Sequence, residues 1–493
     1  MLSISVATEH ELAVTHSIST VPRLSELVKV TRDDKIPLGD RHLHVESGKI
    51  RCPFDWYDLE PPYLFPESNL TEKNLLALVF YKLGNHQRAF QYLEEGSHLH
   101  QDMLIATHLQ FGYEINDSML QWLEKHHPHN LAIVKHYGNL SRREGIFELA
   151  MVYQEALSAA SDDEKLVFSA KHFINHLLDI GETAHVVELA RSLLEKTVSS
   201  AGKNAIQTLL ATALTSQLSV PRDKDVLVEI QNLQQECIIF YESNGDTVNA
   251  GLVLIDIAEV AGFQAEYTLA KESINKAIKY FKEADIPEFL GEAILQKAKL
   301  LYSWSKNGQS QYYKPSINAF QDALKIFKRD VFPQKFADIH HDLALIYSEI
   351  PVAPEEKPIW SAFCASAFKE ALAFYTKDEH PYQYGMCCHN YATALIGFPE
   401  AKLHNNLEKA AYFFEEALLV RTVEAHPTER ALTLLNKLEM EWLLHNENPE
   451  AEKERLASME QDMEEIKRLV NDKGLLHQLE IHENRLEKLK EII

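Results

Sequence analysis

The chain has 493 residues, of which 45% are hydrophobic and 25% are charged, as is usual for a folded protein. Its formal net charge of -24 argues against direct nucleic-acid binding, because phosphate contacts require clustered Lys and Arg. Such an acidic surface either favours basic partners or simply keeps a long chain soluble. Only 17 residues are glycine, which fits a mostly helical chain because glycine weakens helices.

The sequence also limits the compartment and the cofactors. The five cysteines are odd in number and have no disulfide or zinc spacing. The first residues, MLSISVATEHELAV, contain no Lys or Arg, which argues against a secretory signal, and no apolar run approaches 18 residues. We therefore predict a cytoplasmic protein without a membrane span, a metal or a cofactor.

Residues 1–70 differ in composition from the rest of the chain. The stretches ISVATEHELAV and HLHVESGKIRC alternate β-branched and polar residues, which is a weak strand signal. Five aromatic residues then lie among four prolines: Phe54, Trp56, Tyr57, Tyr63 and Phe65 among Pro53, Pro61, Pro62 and Pro66. We predict an irregular N-terminal cap whose aromatics cover the first helical pair. The alternative is an extended arm that lies in a groove, either its own or a neighbour's.

Residues 71–285 are predicted to form helical pairs of irregular spacing. The segment TEKNLLALVFYKL carries apolar residues at helical spacing. Gly84 and Asn85 then form a turn before a second helix over 86–97. Later segments repeat this pattern without a fixed period, so the region is interpreted as degenerate repeats.

Four prolines mark a regular array in the second half: Pro287, Pro333, Pro381 and Pro427, at spacings of 46, 48 and 46 residues. Alanine stands ten residues before each proline, and Gly or Ala stands four residues after it. Proline suits the first turn of a helix, where its missing N–H would have no partner. We predict first helices at 287–304, 333–348, 381–396 and 427–444, and second helices at 265–282, 312–327, 359–375 and 405–420.

The regular repeats are assigned to 286–430, and 431–493 is predicted to be a C-terminal helical cap. In the tail, a stripe of apolar residues has spacings of three and four: Leu456, Met459, Met463, Ile466 and Val470. The sequence Asp472-Lys473-Gly474 interrupts it. The pattern predicts a helical hairpin that closes the array, and the alternative is a coiled-coil seam between two copies.

The helical pairs resemble tetratricopeptide repeats. In the first pair, Ala77 and Phe80 precede the Gly84-Asn85 turn, and Ala89 follows. A later repeat has the run HNYATAL, and the segment LEKAAYFFEEALLVRT is similar to the stretched repeats of bacterial scaffold and signalling proteins. The period departs from the usual unit of about 34 residues. The resemblance implies an all-α, right-handed superhelical solenoid whose concave groove holds a peptide or a partner segment.

Few candidate catalytic or metal-binding residues stand out. The sequence contains no phosphate-binding glycine loop and no nucleophile elbow, and HENRL lacks the second His of a helical zinc motif. Among the 24 histidines, the most ligand-like group is His126, His127 and His129. Scattered surface histidines are the simpler interpretation.

One repeated position has the chemistry of a binding site. Nine residues after the four prolines stand Gln296, Asp342, Asn390 and Asn436, which we call the polar row. His341 and His389 precede two of them. Amides can both donate to and accept from a peptide backbone, so the polar row and these histidines are the predicted peptide-binding residues. The alternative is a ladder of hydrogen bonds between adjacent first helices.

These features predict a non-enzymatic scaffold that binds another protein or peptide, with no nucleic acid or membrane partner. A second hypothesis is a regulatory sensor that binds a signal peptide or small ligand and passes a conformational change to a partner. An enzyme built on the repeats is a third hypothesis, although no matched set of titratable residues supports it.

Overall fold

The computed structural model describes residues 2–32, 42–58, 61–140, 145–219, 223–399, 405–444 and 448–490. The chain divides into two units, which we call unit 1 (Met1–Val260) and unit 2 (Ala261–Ile493).

Unit 1 begins with a five-stranded sheet rather than the irregular segment expected from the sequence. Its strands are β1 (Leu2–Val6), β2 (Val28–Arg32), β3 (His42–Glu46), β4 (Lys49–Arg51) and β5 (Ser68–Asn69), in the order β2-β1-β3-β4-β5. Strand β1 is parallel to both β2 and β3, whereas β4 is antiparallel to β3 and β5. Helix α1 (Glu11–Ser19) joins β1 to a short 3-10 turn before β2. The weak alternation in the sequence therefore does form strands, and their apolar side chains are buried, with α1 packed against β2.

Eleven helices follow among the described residues of unit 1. The last of these helices continues three residues past Val260, where unit 1 ends. The eleven helices are α2 (Glu72–Lys82), α3 (His86–Gln91), α4 (His98–Phe111), α5 (Asp117–His126), α6 (Pro128–Tyr137), α7 (Ile146–Ser158), α8 (Asp163–Asp179), α9 (Thr183–Leu194), α10 (Ser200–Ser216), α11 (Lys224–Ser243) and α12 (Thr247–Phe263). A two-stranded parallel ribbon, β6 (Glu114–Ile115) and β7 (Asn139–Leu140), lies between them. Polar side chains cap the starts of several helices, for example Thr71, Ser97 and Asp162.

Unit 2 contains the regular array. Its helices are α13 (Tyr267–Glu283), α14 (Pro287–Lys306), α15 (Tyr313–Ala323), α16 (Pro333–Glu349), α17 (Lys357–Leu372), α18 (Pro381–Ile396), α19 (Asn406–Val420), α20 (Pro427–Glu441), α21 (Pro449–Leu469) and α22 (Lys473–Lys490). Each of the four periodic prolines occupies the first turn of its helix, as predicted. The predicted helix bounds are thus confirmed to within a few residues at most ends.

The small residues of the repeat serve close helix packing. A methyl group added at Gly385 would lie 2.5 Å from a Val420 methyl, and one at Gly291 would lie 2.8 Å from the Phe327 ring. The alanines ten residues before each proline are fully buried, and so are the two alanines that stand four residues after a proline. The glycines let the two helices of one pair, such as α18 and α19, approach each other closely.

Within each pair, the helix that comes earlier in the chain is called the first helix. In unit 2, α16 lies against α18 and α18 against α20, so first helices of neighbouring pairs are side by side. In unit 1, α8 contacts α6 and α10 in the same way. The first helices therefore form one continuous face in each unit, which we call the inner face.

The tail forms the predicted helical hairpin, α21 and α22. The apolar stripe of α21 is buried within unit 2, where it packs with residues of α20 and α22. It is therefore covered by the chain itself rather than left as a seam for a second copy. No helix among the described residues is both long and apolar enough to cross a membrane. The predicted all-α repeat fold is confirmed, with the N-terminal sheet as an addition.

Candidate functional site

The inner face of unit 1 carries an extended segment of the same chain. This segment, residues 52–66, is called the arm, and the structure describes its residues 52–58 and 61–66. It leaves the sheet after β4 and returns just before β5, and these two strands pair with each other. The arm is thus a long loop closed at its base. Its prolines have no N–H to donate, which keeps it out of the sheet.

Two aromatic side chains anchor the arm. The Trp56 side chain is 4% exposed, and its ring lies 3.0 Å from where a methyl group on Gly202 of α10 would be. Its indole N–H donates to Glu164 Oε1 at 3.1 Å. Farther along, the Tyr63 hydroxyl donates to Oδ1 of the fully buried Asp102 at 2.6 Å. Each anchor therefore combines apolar burial with one directional hydrogen bond.

The side chain of Asn130, near the start of α6, binds the arm backbone. Its Oδ1 accepts from the Leu64 N–H and its Nδ2 donates to the Leu64 carbonyl, both at 2.8 Å. This pair of bonds satisfies both backbone groups of one residue, as a neighbouring strand would. A single amide on a first helix of this chain thus recognises an extended peptide independently of its side chain.

The neighbouring His129 holds the arm through its ring. Its Nε2 lies 3.1 Å from the Pro62 carbonyl oxygen, which can only accept, so Nε2 carries the proton. Its Nδ1 lies 2.8 Å from the Ser169 hydroxyl oxygen, which also lies within hydrogen-bond distance of the Lys165 carbonyl. Burial lowers the pKa of His129 to about 4, in agreement with a neutral ring.

A buried cation completes the contacts with the arm. The Lys171 ammonium of α8 lies 2.7 and 2.6 Å from the two carboxylate oxygens of Asp58, and the Lys171 side chain is only 6% exposed. Asp58 has a φ of 54°, in the left-handed region that few residues other than glycine adopt. A segment that covered Lys171 without an anion would bury its charge without a partner, which is strongly unfavourable.

A cavity remains between the arm and the helices. Its volume is about 780 Å³, within the range of small-molecule and peptide-anchor pockets. The arm contributes Phe54, Trp56 and Phe65 to its wall, and the helices contribute His129 and Lys165. The arm thus covers the inner face without filling it.

The predicted polar row lies on the first helices of unit 2, with Gln296 on α14, Asp342 on α16, Asn390 on α18 and Asn436 on α20. All four side chains are partly exposed. The Asn390 amide Nδ2 donates to His341 Nε2 at 2.9 Å, which joins α18 to α16. The Asn436 amide Nδ2 lies 3.3 Å from His389 Nε2 and 3.0 Å from Thr393 Oγ1, which joins α20 to α18. The amides therefore pair with the histidines of the preceding repeat rather than with one another.

The same row keeps groups available for a ligand. An imidazole nitrogen that accepts from an amide is unprotonated, and burial lowers the pKa of His389 to about 4, which favours that neutral form. The Asp342 side chain is 26% exposed and lies 3.8 Å from His341 Nδ1. Among the described residues, no Lys or Arg forms an ion pair with Asp342. No described residue makes a hydrogen bond to the Gln296 side chain. The row thus consists of two occupied amides, one carboxylate without a strong counter-ion and one free amide.

The histidine trio near Pro128 serves other contacts. Both ring nitrogens of His129 are occupied as described above. His126 Nδ1 bonds the Trp122 carbonyl at 2.8 Å, and His127 Nε2 lies 3.5 Å from Asp102. Across the described ranges, no group of three His, Cys, Asp or Glu side chains is arranged to hold a metal ion.

Sequence reasoning did not single out the side chains that bind the arm: Asp102, Asn130, Glu164 and Lys171. A signal was present for Lys171, which stands in the otherwise apolar face of KLVFSAKHFINHLL. The ammonium group of a lysine on such a face must either form an ion pair with an anion or extend into solvent. The sequence did provide the alternative of an arm in its own groove, and this is where the described part of the arm lies.

No family model matches the chain, and no curated protein matches it. Among solved structures, the chain is similar to a signal transduction ATPase with numerous domains from Pyrococcus horikoshii, which carries a tetratricopeptide repeat sensor. The identity is 14%, the TM-score is 0.50, and the match covers 78% of this chain but only 57% of that one.

Two further matches have lower TM-scores. The structure of Naa15/Naa10 bound to HypK-THB matches at a TM-score of 0.36 and 13% identity, with 85% of this chain and 69% of that chain covered. A circular tandem repeat protein matches at a TM-score of 0.21 and 14% identity, with 85% and 88% covered. The helix pairs, together with the likeness to the Pyrococcus horikoshii ATPase, show that the chain has a tetratricopeptide-like helical-repeat fold.

Proposed function

We propose that this protein is a non-enzymatic scaffold that binds an extended segment of another protein along the inner face of unit 2. The observation that carries the proposal is the pair of hydrogen bonds between Asn130 and the Leu64 backbone. It provides an example, within this chain, of a first-helix amide that recognises an extended peptide.

The polar row supplies similar chemistry on a face that is partly exposed. The Asn390 and Asn436 amides each use Nδ2 toward the preceding repeat, so their oxygens remain acceptors for backbone N–H groups of a ligand. Gln296 offers both a donor and an acceptor. Asp342 supplies a carboxylate without a strong counter-ion, which favours a partner segment with a Lys or Arg at that point.

The two hydrogen-bonded amides have a structural role as well, and the two roles are compatible. The bonds to His341 and His389 hold each amide in one orientation. A side chain already held in place loses less conformational entropy when it binds a ligand. The ladder between first helices therefore presents the remaining oxygens in a fixed register.

A sensor is the second candidate function. The cavity of about 780 Å³ in unit 1 favours it, because a small ligand there would contact both the arm and the helices. The fold is shared with an ATPase whose tetratricopeptide repeats are its sensor. A ligand-dependent rise in melting temperature of the purified protein would support this role.

The scaffold proposal is tested by capture from a lysate of the source organism, with the full-length protein and two double variants. D342A/N390A removes a carboxylate and an amide from the row. N318A/D322A removes the same residue types from α15, where both side chains are exposed. We expect at least one protein to be enriched by the wild type and the control variant and reduced about tenfold with D342A/N390A, since two hydrogen bonds of about 0.5–1.5 kcal/mol each are lost.

A melting curve for each variant accompanies the capture. D342A/N390A is expected to melt within a few degrees of the wild type, because only partly exposed groups change. If that variant melts far below the wild type while every captured protein is retained, the row is structural only and the scaffold proposal for this face fails.

A further inference from the structure

We propose that the arm is an exchangeable internal ligand, and that the inner face of unit 1 is a second peptide-binding site. Its external occupant is an extended protein segment with an aromatic residue, an acidic residue two positions later and a second aromatic residue about five positions after that. This spacing is the one at which Trp56, Asp58 and Tyr63 meet the helices. The proposal concerns a different face from the polar row, so each can fail without the other.

The helices make specific chemical demands on whatever occupies this face. Lys171 is buried and has Asp58 as its only carboxylate partner among the described residues. Asp102 Oδ1 requires a hydroxyl or N–H donor, and Asn130 requires an extended backbone with both groups free. A segment that covered Lys171 without supplying an anion would leave a buried charge without a partner, which is strongly unfavourable, so the face favours an occupant with a carboxylate at this point. The arm or a partner with the same pattern satisfies these demands.

The way the arm is attached allows it to leave. Strands β4 and β5 pair at its base, and β4 is also paired with β3 on its other side. Release of the arm therefore breaks contacts with α4, α6, α8 and α10 while the strand pairs of the sheet remain. The arm is the covering of the inner face rather than a link between its helices.

The fit of the arm is also incomplete. A cavity of about 780 Å³ remains between the arm and the helices, which leaves space for side chains larger than those of the arm. The residue that forms the ion pair, Asp58, has the unfavourable φ of 54°. A partner with larger side chains and a relaxed backbone would make more contacts at lower conformational cost. An external segment can thus replace the arm even though the arm is tethered at a high effective concentration.

The test uses a fluorescently labelled synthetic peptide with the sequence of residues 53–66 and the full-length protein. Asp58→Ala weakens the arm in the protein and leaves Lys171 free for the aspartate of the peptide. We expect the peptide to bind D58A at least tenfold more tightly than the wild type in fluorescence anisotropy. A scrambled peptide, and a peptide whose own position 58 is alanine, should bind at least tenfold more weakly. The double variant D58A/K171M should lose the gain, whereas D58A/D342A/N390A should keep it.

Equal binding of the peptide to wild type and D58A, or binding that does not depend on Lys171, would overturn the proposal. Native-state hydrogen exchange provides a second measurement that needs no variant. The amide of Leu64 is held by Asn130, and we expect it to exchange at least tenfold faster than the buried amides of α6 and α8 because the arm opens locally. Exchange of Leu64 at the rate of those helices would show that the arm is a permanent part of the fold.

Discussion

Unit 1 and unit 2 are built from the same kind of helical pair, but their inner faces find polar partners in different places. In unit 1, the side chains of first helices bind the arm, which is distant in sequence, as in the Asn130–Leu64 and Lys171–Asp58 contacts. In unit 2, they bind the preceding repeat, as in the Asn390–His341 bond. The regular repeats thus satisfy inner polar groups within the array, whereas the irregular repeats satisfy Asn130 and Lys171 with another segment of the chain.

The difference has an energetic consequence. Covering the unit 1 face buries Trp56 and Tyr63 against it, and this burial is part of the stability of that unit. The polar row of unit 2 is partly exposed and contributes little apolar burial. Substitutions in the two faces should therefore change stability by different amounts.

The largest effect is expected for Trp56→Ala. It removes a side chain that is 4% exposed and its hydrogen bond to Glu164, so the free energy of unfolding should fall by about 3–5 kcal/mol. The matched variant Trp360→Ala in unit 2 removes a half-buried ring and should cost less than half as much. Urea denaturation followed by circular dichroism measures both losses. Equal losses would contradict the idea that the arm stabilises unit 1.

Acidification should weaken unit 1 through His129. Its pKa is about 4 in the folded chain, below the usual value of about 6.5. The unfolded chain therefore binds more protons between pH 6.5 and 4, and stability contributed by the neutral ring is lost as the pH falls through that window. The loss is on the order of 3 kcal/mol at pH 4, at 1.36 kcal/mol per pKa unit.

Lys165 lies near His129 and opposes its protonation further. His129→Gln keeps a donor toward Pro62 but does not titrate. On going from pH 7 to pH 4.5, the melting temperature of the wild type should therefore fall by more than that of H129Q. His389→Gln in unit 2 should show the same direction with a smaller change, because His389 is partly exposed. Parallel pH profiles for wild type and H129Q would refute the assignment.

Overpacking should weaken unit 2 at its repeat glycine. Gly385→Ala places a methyl group 2.5 Å from a Val420 methyl, and we expect a loss of about 1–3 kcal/mol. Val420→Ala should recover part of this loss in the double variant, because the two positions are in contact. A double-mutant cycle in urea checks the coupling, and simple additivity would show that the contact does not limit helix approach.

The smallest difference in stability loss is expected between substitutions of two amides, one in each unit. Asn130→Ala leaves the Leu64 N–H and carbonyl without their partner, which should cost about 1–3 kcal/mol. Asn390→Ala removes one partly exposed hydrogen bond to His341 and should cost about 0.5–1.5 kcal/mol. Thermal denaturation of the two single variants ranks them. A larger loss for N390A would mean that the ladder, rather than the arm, carries more of the polar stabilisation.

Much of unit 2 could be predicted because its signals are local. The repeated pattern consists of a proline in the first turn of a helix, an alanine ten residues earlier and a small residue four residues later. These residues act within one helical pair or between neighbouring pairs. Gly291 and Gly385 pack as that pattern indicates. The polar row was also identified, yet its partners were not. Whether Asn390 meets an amide or His341 depends on the angular offset between adjacent helices, which repeat spacing does not specify.

The sequence by itself determined that this chain forms stacked helical pairs, where the first helices of the regular repeats begin, and which position faces the inner side with polar groups. These properties follow from short-range sterics and helical periodicity. Tertiary structure decided that β1 pairs in parallel with β2 and β3, that the arm covers unit 1, and that Lys171 meets Asp58. The Lys171–Asp58 contact joins residues that are 113 positions apart. Such contacts depend on the path of the chain rather than on any local pattern, because a buried charge specifies that it needs a partner but not which one.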